Sequence, residues 1–238
     1  MSATLADRAF ELQLARQWGI VVGMDEVGRG ALAGPVCVGA VAVDADLPDA
    51  PAGIADSKLL SAAKRESLHG PVQQWALASA VGSASAAEID EHGLTAALRM
   101  AGVRALDQVA WQLRAAGAPK PGVVLLDGSH DWLTPPQPSL WEETQPAAVG
   151  VPVITRVKAD RDCVAVAAAS VLAKVQRDTF MEQLEDPGYD WCHNKGYGAA
   201  RHLQGLALLG PSDWHRQTWR LPGVAASKES ASGGDSKK

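Results

Sequence analysis

Three short apolar runs along this chain each lead to an acid. Ile20-Val21-Val22 passes through Gly23-Met24 to Asp25-Glu26, Val123-Val124-Leu125-Leu126 stops at Asp127-Gly128, and "VPVITRVKAD" ends at Asp160. Runs of this length, rich in β-branched residues and bounded by Gly or Pro, predict strands. "GPVCVGAVAVDADL" carries Val36, Val38, Val41 and Val43 and predicts a second strand, antiparallel to the first and joined to it through a glycine-rich loop; "ALASAVGSA" predicts a third. From Ala86 to about Ala116 the spacing turns helical, with Ile89, Leu94, Leu98, Val103, Leu106, Val109 and Leu113. Gly93 and Gly102 are expected to interrupt it, giving one helix or two. Ser61 is a good N-cap for a shorter helix that Gly70-Pro71 should stop.

"RDCVAVAAASVLAKVQRDTFMEQLE" predicts a helix whose first half is small and apolar on all sides, the pattern of a helix lying close against a sheet. Residues 129–148 are rich in Pro, Trp and polar groups and read as a loop or insertion, with Trp132 and Trp141 exposed or packed locally. A loop, one short helix and a terminal turn follow, and "ASKESASGGDSKK" has the low complexity of a disordered tail. No internal repeat is visible. Strands first, then alternating helices and strands, predict an α/β fold around a mixed sheet with a small helical C-terminal part.

Bulk properties narrow the function without choosing it. The chain has 238 residues, 47% of them hydrophobic, and a mean hydropathy of −0.06, with no apolar run long enough to span a bilayer. The N-terminus "MSATLADRAFELQLARQ" carries acids and lacks the apolar core of a signal peptide. Three cysteines without C-x-x-C spacing fit a reducing compartment, so a cytoplasmic protein is expected. A net charge of −5 weakens a nucleic-acid reading, because phosphate binding usually shows as excess Lys and Arg. The exception is local: clustered acids that hold divalent cations present positive charge once loaded.

That exception is where the acids point. If the strands carrying Asp25-Glu26, Asp127 and Asp160 run side by side, their carboxylates converge at one sheet edge, where α/β folds keep their sites. Converging carboxylates repel, and hard divalent cations bound through oxygen relieve the repulsion. Two such ions support in-line displacement at a phosphate. Singly, each acid has a blander reading: Asp127-Gly128 as a turn, Asp160 as a helix N-cap. Asp25-Glu26 has no obvious capping task. Cys192-His193 has no second Cys or His pair at ligand spacing and is not read as zinc. The other histidines, His215 included, read as structural or surface groups, and most of the eight tryptophans as packing.

"GMDEVGRGALAGPV" resembles the signature of the ribonuclease HII family, the type 2 ribonucleases H. "ADSKLLSAAKRESL", "VVLLDG", "VKADRDCVAVAAASVLAKVQRD", "NKGYGAARHLQGL" and "HRQTW" resemble further blocks of that family, in family order, over residues 20 to 219. Thr218 and Trp219 stand where the family usually has Ser and Phe, and Ala159 replaces a frequent glycine. The resemblance implies a ribonuclease H-like mixed sheet flanked by helices over residues 1–185, a substrate-binding helical extension over 186–224, and a tail over 225–238. It implies a monomeric endonuclease that hydrolyses the phosphodiester 5′ to a ribonucleotide, in RNA–DNA hybrids and at single ribonucleotides in duplex DNA, leaving 3′-hydroxyl and 5′-phosphate ends. Asp25, Glu26, Asp127 and Asp160 would be the catalytic acids and hold two Mn²⁺ or Mg²⁺ ions. Gly28, Arg29 and Gly30 would recognise the ribose 2′-hydroxyl, and Tyr197 would stack on the next sugar. Lys58 would contact a backbone phosphate. Ser170 and Lys174, at i and i+4 with Asp178 at i+8, follow the metal site and are further phosphate candidates; Arg201 and His202 are candidates to line the duplex groove. Two alternatives stay open: a type 3 ribonuclease H or structure-specific DNA nuclease of the same chemistry, and a junction-binding module without catalysis.

Overall fold

The apolar runs assemble into one five-stranded sheet. A computed structural model describes residues 6–135 and 150–224; Trp141 and the tail over 225–238 lie outside the described residues. The strands are β1 (Val21–Val27), β2 (Val36–Val43), β3 (Ala78–Ala84), β4 (Val123–Asp127) and β5 (Val153–Arg156), in the order β3-β2-β1-β4-β5. β1 pairs antiparallel with β2 and parallel with β4, so the two acid-bearing strands β1 and β4 are neighbours that run the same way. β2–β3 is antiparallel and β4–β5 parallel, which makes the sheet mixed.

Strand alternation divides the core into two layers. Val22, Met24, Val38, Ala40, Val124 and Leu126 face helices α3 (Ala86–His92) and α4 (Leu94–Ala115). Val21, Val41, Val43, Val123 and Leu125 face the opposite layer, made by α1 (Ala9–Trp18), α2 (Ala62–Trp75) and α6 (Val164–Gln183). The short helix α5 (Ala159–Asp162) precedes α6, and α7 (Trp191–Asn194) and α8 (Ala200–Leu209) follow it. Those last two helices build a third apolar cluster, with Ala33, Met181, Tyr189, Trp191, Leu206 and Leu221.

The all-apolar first half of α6 lies on the sheet as its composition predicts, and every residue from Val164 to Ala173 is buried. Glycine permits the approach: a Cβ on Gly23 would stand 2.6 Å from the Ala165 carbonyl carbon, and one on Gly39 2.1 Å from the Ala169 oxygen.

Four expectations change. Gly70-Pro71 does not stop α2, which continues to Trp75. The interior proline costs about 3 kcal/mol, and the burial of Leu68, Val72 and Trp75 on one face outweighs it. Gly93, at φ +80°, separates α3 from α4, but Gly102 lies within α4. Its missing side chain makes room for Trp132, whose ring comes within 2.7 Å of the Cβ position. Trp132, expected to be exposed or packed locally, is therefore a core residue supplied by the loop. The fourth change concerns β5, which is only half-buried and stops at Arg156, so Asp160 is not at a strand end. No described helix is long and apolar enough to cross a membrane.

One buried acid outside the sheet edge has a measurable consequence. Glu11 of α1 accepts from the Ala165 N–H at 2.5 Å, and its second oxygen is buried without a partner. Burial pushes this carboxyl from the ordinary 4.5 up to about 7. The folded state thus keeps a proton that the unfolded chain releases, so this contribution to stability is full below about pH 4.5 and is lost as pH rises through 7. Glu11→Gln should flatten the fall in stability between about pH 5 and pH 8, by a few kcal/mol at most. Urea unfolding of both proteins at the two pH values measures it, and identical slopes would refute the assignment.

Candidate metal centre and substrate groove

The parallel pairing of β1 with β4 ends at Met24–Leu126, and the acids come immediately after. By alternation Asp25 and Asp127 point to the α6 side with Gly23 and Leu125, while Glu26 takes the other face. Asp25, Glu26 and Asp127 line one groove with Gly28, Arg29, Gly30, Ser57, Lys58, Ser170, Lys174 and Tyr197. Asp160 arrives by another route. Lys158 takes a left-handed conformation (φ 62°) that turns the chain into α5, and the Asp160 N–H donates to Asp127 Oδ1 at 3.3 Å. Since Lys158 occupies the N-cap position, Asp160 is neither a strand terminus nor a cap.

The electrostatics are those of acids held together against their preference. Burial pushes the Asp25 carboxyl from 3.8 up to about 8, and the neighbouring Glu26 and Asp127 add to the rise. Glu26 and Asp160 are also raised, in both cases first by burial. Asp25 Oδ2 and Glu26 Oε2 are buried without a hydrogen-bond partner. Lys58 reaches the cluster, its Nζ 3.3 Å from Asp160 and 3.9 Å from Asp56. Burial alone would lower the Lys58 pKa, but Asp25, Asp56 and Asp160 outweigh it and raise it.

Orphaned buried oxygens beside a cluster of carboxylates fit a hard divalent cation. The fit requires some closure. Among the described residues, no three of these four acids bring one oxygen each within 4.8 Å of one another, the spacing that mutual repulsion of like charges favours.

The glycine loop behind the acids is held from beneath. The Arg216 guanidinium donates to the carbonyls of Gly28 (2.6 Å), Arg29 (2.8 Å) and Gly34 (3.3 Å). Arg177 donates to Pro35, Ala33 and Lys195. Gly28 is at φ +87°, and a Cβ there would stand 2.2 Å from Arg177 Nε, so its bareness serves internal packing. Gly30 is different: a Cβ on it would meet nothing within 4 Å. Arg29 is exposed and reaches Glu26 Oε1 at 3.4 Å. Tyr197 is 36% exposed, with the cations of Arg177 and Lys174 5.3 and 5.7 Å from its ring.

The remaining expected residues divide. Ser170 is buried and its hydroxyl is 2.7 Å from that of Ser57. Lys174 lines the groove but is paired to Asp178 at 2.7 Å. Arg201 is exposed, whereas His202 is fully buried and lines no groove. His202 belongs to a chain of neutral imidazoles. The Ser212 N–H donates to His215 Nδ1 (2.9 Å), which leaves His215 Nε2 to donate to His202 Nε2 (2.9 Å). The Nδ1 proton of His202 then goes to the Tyr197 carbonyl (2.9 Å). Burial first, then His202, pushes His215 down to about 4, as this arrangement requires. Ser57, Asp56, Arg177 and Arg216 were not legible as site residues. Only Asp56 left a signal: its carboxylate accepts from the Lys58 N–H, an Asx turn that "ADSK" encodes.

The sequence model of the family described as Ribonuclease HII matches residues 22–222 of this chain. The chain belongs to the ribonuclease HII family. Membership makes it an endoribonuclease, a hydrolase. A relative named Ribonuclease HII from Streptomyces avermitilis is 43% identical over 202 residues, covering 84% of this chain and 76% of that protein. Among solved structures, the ribonuclease H2 from Pyrococcus horikoshii superposes with a TM-score of 0.60 at 25% identity, covering 85% of this chain and 94% of that one. The Bst-RNase HIII structure, determined in complex with Mn²⁺, shares the fold with a TM-score of 0.59 at 19% identity, covering 87% of this chain and 69% of that one. The mixed sheet flanked by helices expected from the sequence is thus the fold of the family.

Proposed function

We propose that this endoribonuclease hydrolyses the phosphodiester 5′ to a ribonucleotide, in RNA–DNA hybrids and at single ribonucleotides embedded in duplex DNA. The products are 3′-hydroxyl and 5′-phosphate ends. The observation that carries the reading is the pair of buried, unpartnered oxygens on Asp25 and Glu26, in one groove with Asp127 and the Gly28-Arg29-Gly30 loop. Asp25, Glu26, Asp127 and Asp160 hold Mg²⁺ or Mn²⁺, and such ions lower the pKa of bound water and offset charge on the phosphate. The protein's own part is positioning. Gly30, where no side chain intervenes, lets backbone approach the 2′-hydroxyl that separates RNA from DNA. Lys58, Ser170 and Lys174 face the phosphates, and Tyr197 receives the next sugar. Residues 1–185 supply the acids, residues 186–224 supply Tyr197, and a monomer suffices.

The test is cleavage of a duplex containing one ribonucleotide, with and without Mg²⁺ and Mn²⁺, beside a duplex with an all-RNA strand. Ion-dependent cutting 5′ to the single ribonucleotide is the expected result. Retention of the duplex without cutting would leave only a binding module, and cutting confined to the all-RNA strand would place the substrate with longer RNA stretches. Tyr197→Ala should raise KM on the single-ribonucleotide duplex about 5- to 150-fold, the range of one lost aromatic stack, with a smaller change in kcat. An unchanged KM would remove Tyr197 from the binding surface.

A further inference from the structure

The turn before Tyr197 brings together three donors that sequence spacing did not unite. Asp190, at φ 63°, occupies the N-cap position of the single helical turn α7 without a side-chain capping bond, and Cys192 and His193 lie on that turn. His193 Nδ1 stands 2.6 Å from Asp190 Oδ1 and 3.1 Å from Cys192 Sγ, and the three ligand atoms lie within 4.8 Å of one another. Among the described residues this is the one group of three Cys, His, Asp or Glu side chains so close. We propose that Asp190, Cys192 and His193 form a binding site for a zinc-like divalent cation, separate from the acids of the groove.

The donor set decides the class of ion. A thiolate, an imidazole nitrogen and one carboxylate oxygen select a borderline-soft cation such as Zn²⁺ and leave a fourth tetrahedral position for water. The four acids at the sheet edge offer oxygen alone, so the two sites sort ions by softness. Tetrahedral donors about 2.0–2.3 Å from a metal sit farther apart than the present 2.6 and 3.1 Å. Loading therefore requires these side chains to open by less than an ångström, and Cys192 and His193 are exposed side chains free to do so.

One nitrogen facing both a carboxylate and a sulfur cannot satisfy the two with a single proton, whereas a cation satisfies all three. On binding, the thiol gives up its proton to solvent as the sulfur–metal bond forms, and no electron is transferred. Two bases border the site. Lys195 is engaged by Glu182 (2.6 Å) and by the Cys192 carbonyl. Arg201 stands 4.0 Å from Asp190 Oδ1 and competes with a cation for that oxygen. The site opens on a concavity lined by Cys192, His193, Lys174 and Tyr197, the last two shared with the acid-lined groove.

Co²⁺ titration of the full chain tests the site. A thiolate ligand gives a sulfur-to-cobalt charge-transfer absorption in the near ultraviolet that oxygen ligands cannot give. The expected result is one equivalent of this band, displaced by Zn²⁺, absent in Cys192→Ser and requiring at least about tenfold more Co²⁺ in His193→Gln. The band should persist in Asp25→Asn, so its appearance does not depend on the groove acids. Absence of the band in wild type, or its survival in Cys192→Ser, overturns the proposal.

Discussion

Asp25→Asn is expected to lower cleavage of a single-ribonucleotide duplex by more than about 100-fold while making the metal-free protein more stable. Changing groups that merely orient metal ligands costs about 10- to 100-fold, so a ligand itself should cost more. The stability half follows from burial. Asp25 is 2% exposed, one of its oxygens has no partner, and its carboxyl is raised to about 8. The unfolded chain releases this proton near 3.8, so without metal the penalty grows from there and is complete only above about pH 8. Asparagine carries no charge to bury, and its oxygen can still accept from the Glu26 N–H, now bonded to Asp25 Oδ1 at 2.8 Å. Thermal melts in EDTA at about pH 8 should therefore show the variant above wild type. Added Mg²⁺ or Mn²⁺ should narrow the gap, because on the proposed reading only wild type keeps the full ligand set. A variant that melts lower in EDTA, or cuts at the wild-type rate, would separate Asp25 from the metal centre.

The same acid shows how far the sequence alone reached. Asp25, Glu26 and Asp127 were legible because β-strand periodicity ends at them and the strands pair in parallel, so position in sequence becomes position at one edge. The strand pattern puts Asp160 on the wrong element, since it lies in α5. "VITRVKAD" carries no breaker after Arg156, and the turn is made by Lys158 in a left-handed conformation, which residue type gives little reason to expect. Pro71 misled in the opposite sense, since a strong local rule lost to the burial of Leu68, Val72 and Trp75. The supports of the glycine loop were beyond reach for a different reason. Arg177 and Arg216 are buried among backbone carbonyls, and a carbonyl has no residue identity for a pattern to match. The His202–His215 pair is hidden likewise: the sequence offers the two rings, and only the fold brings their nitrogens to 2.9 Å.

Gly39→Ala should be among the most damaging single methyl groups in the sheet. Gly39 pairs with Asp25 across the β1–β2 hairpin and lies beneath α6. The added Cβ would come 2.1 Å from the Ala169 carbonyl oxygen and 3.1 Å from the Ala169 Cα, both backbone atoms that no side-chain rotation can move aside. Helix α6 must lift or β2 must sink. Either shift disturbs contacts that run from Val164 to Ala173, the stretch of α6 buried at every position. Overpacking of this kind costs about 1–3 kcal/mol when side chains can yield; with backbone on both sides a loss of about 3 kcal/mol or more is expected. The next residue along the helix is Ser170, hydrogen-bonded to Ser57 and lining the groove, so cleavage should fall with stability. Gly30→Ala is the contrast that separates the two effects. Its Cβ enters open space and its φ is not in the left-handed region, so the melting temperature should stay within about 2 °C of wild type. Cleavage should still drop, because on the proposed reading the 2′-hydroxyl comes up to the Gly30 backbone and the methyl stands between them. Equal damage to stability from both substitutions would mean that α6 is not held against the sheet as the Gly39 contact requires.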